Sequence, residues 1–131
     1  MMEQTRQDIS LRVPGEMAYA LVIRTALGGV AILKDLSVDQ MDDLRTAADE
    51  ACDCLLHQGR AVEAIQVHVI EQEKKLTVSL EAEFCGCKEG DCADQAAISQ
   101  AVLETLIPEV TLKTAECGCI QRIDLTMPRA V

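Results

Sequence analysis

Residues 65–84 read "IQVHVIEQEKKLTVSLEAEF". Two runs alternate apolar and polar residues around "QEKK", the pattern of a β-hairpin with one buried face. Ile65, Val67 and Val69 share one side of the first strand, and Leu76, Val78 and Leu80 share one side of the second. A sheet with a single apolar face must have that face covered by another layer. The flanking segments supply the cover.

Upstream, residues 17–33 carry Ala20, Ile23, Leu27 and Val30 at helical spacing. Gly28 and Gly29 weaken this helix by roughly 1 kcal/mol each relative to alanine, which predicts close packing against a neighbour. Ser37 and Gln40 form a capping box that opens a second helix. In it Leu44, Ala48, Ala51 and Leu55 make a buried stripe, with Glu50 and Cys54 on its shoulder. Before both helices, "ISLRVP" (9–14) reads as a short edge strand ending at Pro14. Downstream, residues 94–107 read as a third helix with Ile98, Val102 and Leu106 inward and Pro108 marking its end. "EVTLKT" (109–114) and "CIQRIDLTM" (119–127) close the chain as a hairpin around "AECG". The expected fold class is α/β (α+β): a two-layer sandwich whose mixed, mostly antiparallel sheet is covered on one face by about three helices.

Composition sets the outer limits. The 131 residues suit one domain, 1–131, and 49% hydrophobic content is ample for a core. Aromatics make up only 2%, so aliphatic side chains must fill that core, and the composition disfavours base stacking as a binding mode. The net charge of -10, with no Lys/Arg cluster, disfavours nucleic acid as a direct partner. The start, "MMEQTRQDIS", lacks the apolar stretch of a signal peptide. The longest apolar run, 17–33, is interrupted by Arg24 and the glycines and is short for a membrane span. Seven cysteines without a secretion signal point to reduced thiols in the cytoplasm.

The element order and several local strings resemble the anti-sigma factor serine kinases of the GHKL superfamily, the Bergerat-fold or histidine-kinase-like ATPases. "VPGEMAYALVIRTALGGVA" (13–31) is similar to that family's opening strand end and first helix, with Arg24 where the family has an arginine. "DDLRTAADEAC" (42–52) looks like the approach to its N-box. "AVLETLIPEV" (101–110) resembles the helix after the second glycine box, and "ECGCIQRIDL" (116–125) the last hairpin. The resemblance implies a sigma factor or an anti-anti-sigma protein as partner. It also implies a homodimer formed through the first helix and sheet, with Arg24 as a candidate partner-binding residue. Arg24 reads as an unpaired charge on an apolar helix, or equally as a snorkelling arginine with its head in solvent.

At the positions that hold Mg·ATP in the family, the residues differ. Glu50 matches the N-box base, yet Cys54 stands where an asparagine holds Mg²⁺, and a soft thiol is a poor ligand for that hard cation. "LEAEF" puts Ala82 at the adenine-reading aspartate and Phe84 at the following glycine. "DQAAISQAV" (94–102) has no glycine to bring backbone close to phosphates, and the lid has shrunk to "CGCKEGDC" (85–92). A lone base achieves little in phosphoryl transfer, which depends on positioning and metal, so Glu50 also reads as a solvated shoulder acid.

Cys52 reads as a small buried hydrophobe. Cys85, Cys87, Cys92, Cys117 and Cys119 belong to segments that, by the resemblance, approach the old nucleotide pocket. Converging thiols suit Zn²⁺ or an iron–sulfur cluster, and free thiols are the plainer alternative. His57 reads as a helix-end residue and His68 as a strand residue on a polar face. Three functions remain: a degenerate kinase without cofactor that holds a protein partner, an active Mg·ATP-dependent serine/threonine kinase, and a cysteine-based metal or redox sensor.

Overall fold

The computed structural model describes residues 6–58, 61–84, 93–116 and 118–129. The chain runs β1 (Arg6–Pro14), a 3-10 turn (Met17–Tyr19), α1 (Ala20–Leu33), α2 (Val38–Leu56), β2 (Val62–Gln72), β3 (Lys75–Phe84), α3 (Ala93–Glu104), β4 (Glu109–Thr114) and β5 (Ile120–Pro128). The strands form one five-stranded sheet in the order β1-β2-β3-β5-β4. This is the expected α+β sandwich.

Every neighbouring pair in the sheet is antiparallel, so the expected mixed sheet is corrected to an antiparallel one. The reason lies in the last hairpin. The β3–α3–β4 connection makes β4 run parallel to β3, but β5 folds back and inserts between them. The two parallel strands therefore never pair.

The hairpin at 65–84 has the anticipated faces. Ile65, Val67 and Val69 on β2 and Leu76, Val78 and Leu80 on β3 are all buried, joined by Ile123, Leu125 and Met127 on β5. Across them lie Ile23, Leu27 and Val30 of α1 and Leu44, Ala48, Ala51 and Leu55 of α2. The opposite face of the sheet is polar. There Arg12 on β1 grips Glu83 on β3 through two hydrogen bonds, of 2.8 and 3.1 Å. The Arg12 bonds first, and a bond from Gln66 second, hold the Glu83 carboxyl down at about 2.

The capping box at α2 is formed: Gln40 N–H donates to Ser37 Oγ at 3.1 Å, and Ser37 N–H to Gln40 Oε1 at 2.9 Å. The same Gln40 side chain donates to the Pro128 carbonyl at 3.0 Å, tying the helix start to the end of β5.

Two expectations fail in detail. On α3 the inward residues are Ser99 and Leu103, with Ile107 just beyond the helix, while Ile98 is 66% exposed and Val102 also faces out. This helix is apolar on adjacent stripes, so a shift of one residue, about 100° of rotation, was invisible to periodicity. The glycines of α1 do not mark close packing within the chain. A Cβ at Gly28 would make only ordinary contact with Arg45 Cδ at 3.8 Å, and one at Gly29 would meet nothing within 4 Å.

Candidate functional site

The site anticipated on α2 is built from Glu50 and Cys54, one turn apart. The helix turns its alanines toward the sheet and carries Cys54 with them. Cys54 is 1% exposed and belongs to the core, not the shoulder as expected. Its side chain is hydrogen-bonded by Ser99 of α3. Burial, the largest influence, pushes the thiol up; Ser99 counters this, and Glu50 and Asp53 add to it. The position therefore presents a neutral, internally bonded thiol. Glu50 is half-buried, and among the described residues it makes no hydrogen bond or ion pair.

Ala82 lies on β3 opposite Ile65, its methyl buried in the core. It offers no hydrogen-bonding group to a ligand. Phe84 is half-buried and packs against the same core. At the three positions, then, the chain supplies one carboxylate, one buried thiol and one buried methyl.

Cys85, Cys87, Cys92 and Cys117 lie outside the described residues. Cys119 is buried at the start of β5, where its carbonyl accepts from Ala115 N–H at 2.8 Å. Among the described residues, no group of three or more His, Cys, Asp or Glu side chains converges as a metal site would. Cys52 is buried as expected, and burial first, then Asp49 and Asp53, pushes its thiol up to about 12. Cys52 and Cys54 should thus resist iodoacetamide at pH 8 in the folded protein and react fully in denaturant. Mass spectrometry locates the adducts; native labelling of Cys54 at the rate of a free thiol would contradict its placement.

Arg24 is not the unpaired charge it resembles in the sequence. Its Nη1 lies 3.1 Å from Asp49 Oδ2 on α2, both side chains about a third exposed. The pair belongs to an open groove of about 400 Å³ between α1 and α2, lined by Arg24, Asp42, Arg45, Thr46 and Asp49. Sequence reading missed this groove and the Ser99 partner of Cys54. The one available signal was Asp49 beside Glu50, an acid without an assigned role. His57 closes α2 as expected and meets Asp53 Oδ1 at 2.8 Å, and His68 faces Ser10 on the polar side of the sheet at 3.3 Å.

No family model matches the chain. Two curated relatives do: the anti-sigma-F factor RsbW of Mycobacterium tuberculosis, in strains CDC 1551 / Oshkosh and ATCC 25618 / H37Rv, each 28% identical over 102 residues. The chain is thus similar in sequence to anti-sigma factors of this kind. The matched region is 78% of this chain but 59% of each relative, so the chain aligns with only part of the anti-sigma factors it resembles. The fold agrees with the crystal structure of the RsbU and RsbW domains of Rv1364c from the same organism. There the TM-score is 0.69 at 15% identity, over 95% of this chain and 34% of that one. Among the described residues, no helix is long and apolar enough to cross a membrane.

Proposed function

We propose that the chain is an anti-sigma-factor-like regulator of the cytoplasm that acts by holding a protein partner, without Mg·ATP and without kinase activity. The partner class is a sigma factor or an anti-anti-sigma protein, and the chain also pairs with a second copy of itself. One observation carries this reading: the family's Mg²⁺ position is Cys54, buried and bonded to Ser99. A neutral, enclosed thiol cannot replace an oxygen ligand for Mg²⁺. Ala82 supports the same conclusion, since a buried methyl cannot accept the hydrogen bond by which an aspartate recognises adenine.

Arg24 fits a partner contact in this scheme despite its bond to Asp49. An ion pair this exposed contributes at most about 1 kcal/mol, so an incoming carboxylate can share or displace it. Calorimetric titration with ATP or ADP plus Mg²⁺ tests the loss of nucleotide, and no saturable heat is expected in the micromolar range. Cys54→Asn alone should not restore binding, because Ala82 and the glycine-free stretch 94–102 within α3 remain. A low-micromolar isotherm would overturn the proposal. Co-elution with purified sigma factors and anti-anti-sigma proteins from the source genome tests the partner class, and binding to none of them would count against it.

A further inference from the structure

On the helix side of the sheet, β2 and β5 each end an apolar row with a charge. Ile65, Val67 and Val69 are buried on β2, and the two-residue period of a strand carries the row on to Glu71. Ile123, Leu125 and Met127 are buried on β5, and the same period leads to Arg129. A carboxylate and a guanidinium are thus turned toward the helix layer at one end of the core. Both are mostly enclosed, Glu71 at 19% and Arg129 at 23% side-chain exposure.

A third charge joins them from above. Lys34, the C-cap of α1, is 19% exposed, and its Nζ lies 3.1 Å from Glu71 Oε1. Arg129 Nη1 meets the other carboxylate oxygen, Oε2. One acid therefore serves two cations, one at each oxygen, brought from elements far apart in the sequence.

Two further bonds complete a ring. Gln40, in the first turn of α2, donates to the Pro128 carbonyl at 3.0 Å. Arg129 N–H donates to the Lys74 carbonyl at 2.8 Å, which holds the end of β5 against the β2–β3 turn. The connection between α1 and α2 is thus tied down at both ends, Lys34 through Glu71 and Gln40 through Pro128. Within it Asp35 has a φ of 59°, a left-handed conformation that costs free energy in any residue but glycine. The backbone of the turn opposes its own closure, so the ties matter.

The electrostatics single out the acid. Removing Arg129 leaves the Lys34–Glu71 pair intact. Removing the charge of Glu71 leaves two cations facing each other where water is largely excluded, and an uncompensated charge is costly there. We propose that Glu71 is the keystone of an electrostatic clasp, and that loss of its charge releases the α1–α2 turn and the end of β5 together while the sheet stays folded. The clasp goes beyond the proposed function and needs only the fold. The groove of Arg24, Asp42 and Arg45 lies between the same two helices, so release also frees the groove to change its width.

Hydrogen exchange followed by NMR on the full chain tests the clasp. The amides to watch are Lys34, Leu36 and Arg129, hydrogen-bonded to the carbonyls of Val30, Ala31 and Lys74. In Glu71→Gln, which keeps the shape and removes the charge, all three should exchange at least about tenfold faster. Val78 and Leu80, in the middle of β3, should keep wild-type rates. Adding Arg129→Met to Glu71→Gln should slow the three amides again, because one of the two repelling cations is gone; a purely packing role for these side chains predicts the opposite. Wild-type exchange at the three amides in Glu71→Gln would overturn the clasp. An equal acceleration at Val78 and Leu80 would overturn it too, since the loss would then be global. A double variant that exchanges no slower than Glu71→Gln would overturn the role of charge.

Discussion

Gly15→Ala is expected to destabilise the fold by about 3 kcal/mol, more than any surface substitution in the chain. A Cβ at Gly15 would lie 2.2 Å from the Val62 carbonyl oxygen and 2.7 Å from its carbon. These are backbone atoms, so no side-chain rotation relieves the collision. The Val62 backbone is also held in place. It opens β2 opposite Phe84, just before a register shift in the ladder, and the next carbonyl, Glu63 O, accepts from Gly15 N–H at 3.0 Å. Relief would pull the start of β2 from β1, breaking that bond and the Pro14–Ala64 pairing. The midpoint of thermal unfolding should fall by about 10 °C in a domain of this size. Circular dichroism melts check this, and a midpoint within a degree of wild type would show that β2 yields without cost.

How legible such features were depends on the range of the interaction. Periodicity located the hairpin at 65–84, the α2 stripe and the capping box at Ser37, because each rests on neighbours close in sequence. It could not orient α3, where Ile98 and Val102 compete with Ser99 and Leu103 for the buried side and only contact with α2 decides. Nor could it place Cys54, since a thiol four residues after an acid reads equally as a shoulder or a core position. Its burial comes from the core around it, and its partner Ser99 lies forty-five residues away, an arrangement no local pattern encodes. The glycines show the same limit: Gly15 follows the strand that ends at Pro14 and carried no signal of its own, yet its need for glycine comes from Val62. Gly28 and Gly29 looked like a packing site within the chain, and their surroundings are open. Arg24 appeared unpaired because Asp49 lies on a different helix.

Gln58 is the clearest case of a residue with no signature in its own neighbourhood, and its replacement by leucine should cost about 3 kcal/mol. It follows α2, where sequence reading gave it no role. In the fold it is buried, with Nε2 donating to the Ile120 carbonyl at 2.9 Å and Oε1 accepting from Ile120 N–H at 2.6 Å. Nε2 also lies 3.3 Å from the Leu55 carbonyl at the end of α2. The amide thus acts toward Ile120 as a neighbouring strand would, satisfying both backbone groups where β5 begins. Leucine fills a similar volume but supplies neither donor nor acceptor, so it leaves the Ile120 N–H and carbonyl buried and unpaired. Each such loss costs about 1–3 kcal/mol, which outweighs any gain from a more apolar side chain. Gln58→Glu should be no milder, since it keeps an acceptor for Ile120 N–H but turns a second acceptor toward the Ile120 carbonyl. Urea unfolding measures the loss, and hydrogen exchange at the Ile120 amide should accelerate in both variants. Unchanged stability in Gln58→Leu would mean that water replaces the side chain. The link also bears on the substituted site: it fastens the end of the helix carrying Glu50 and Cys54 to the strand that follows Cys119.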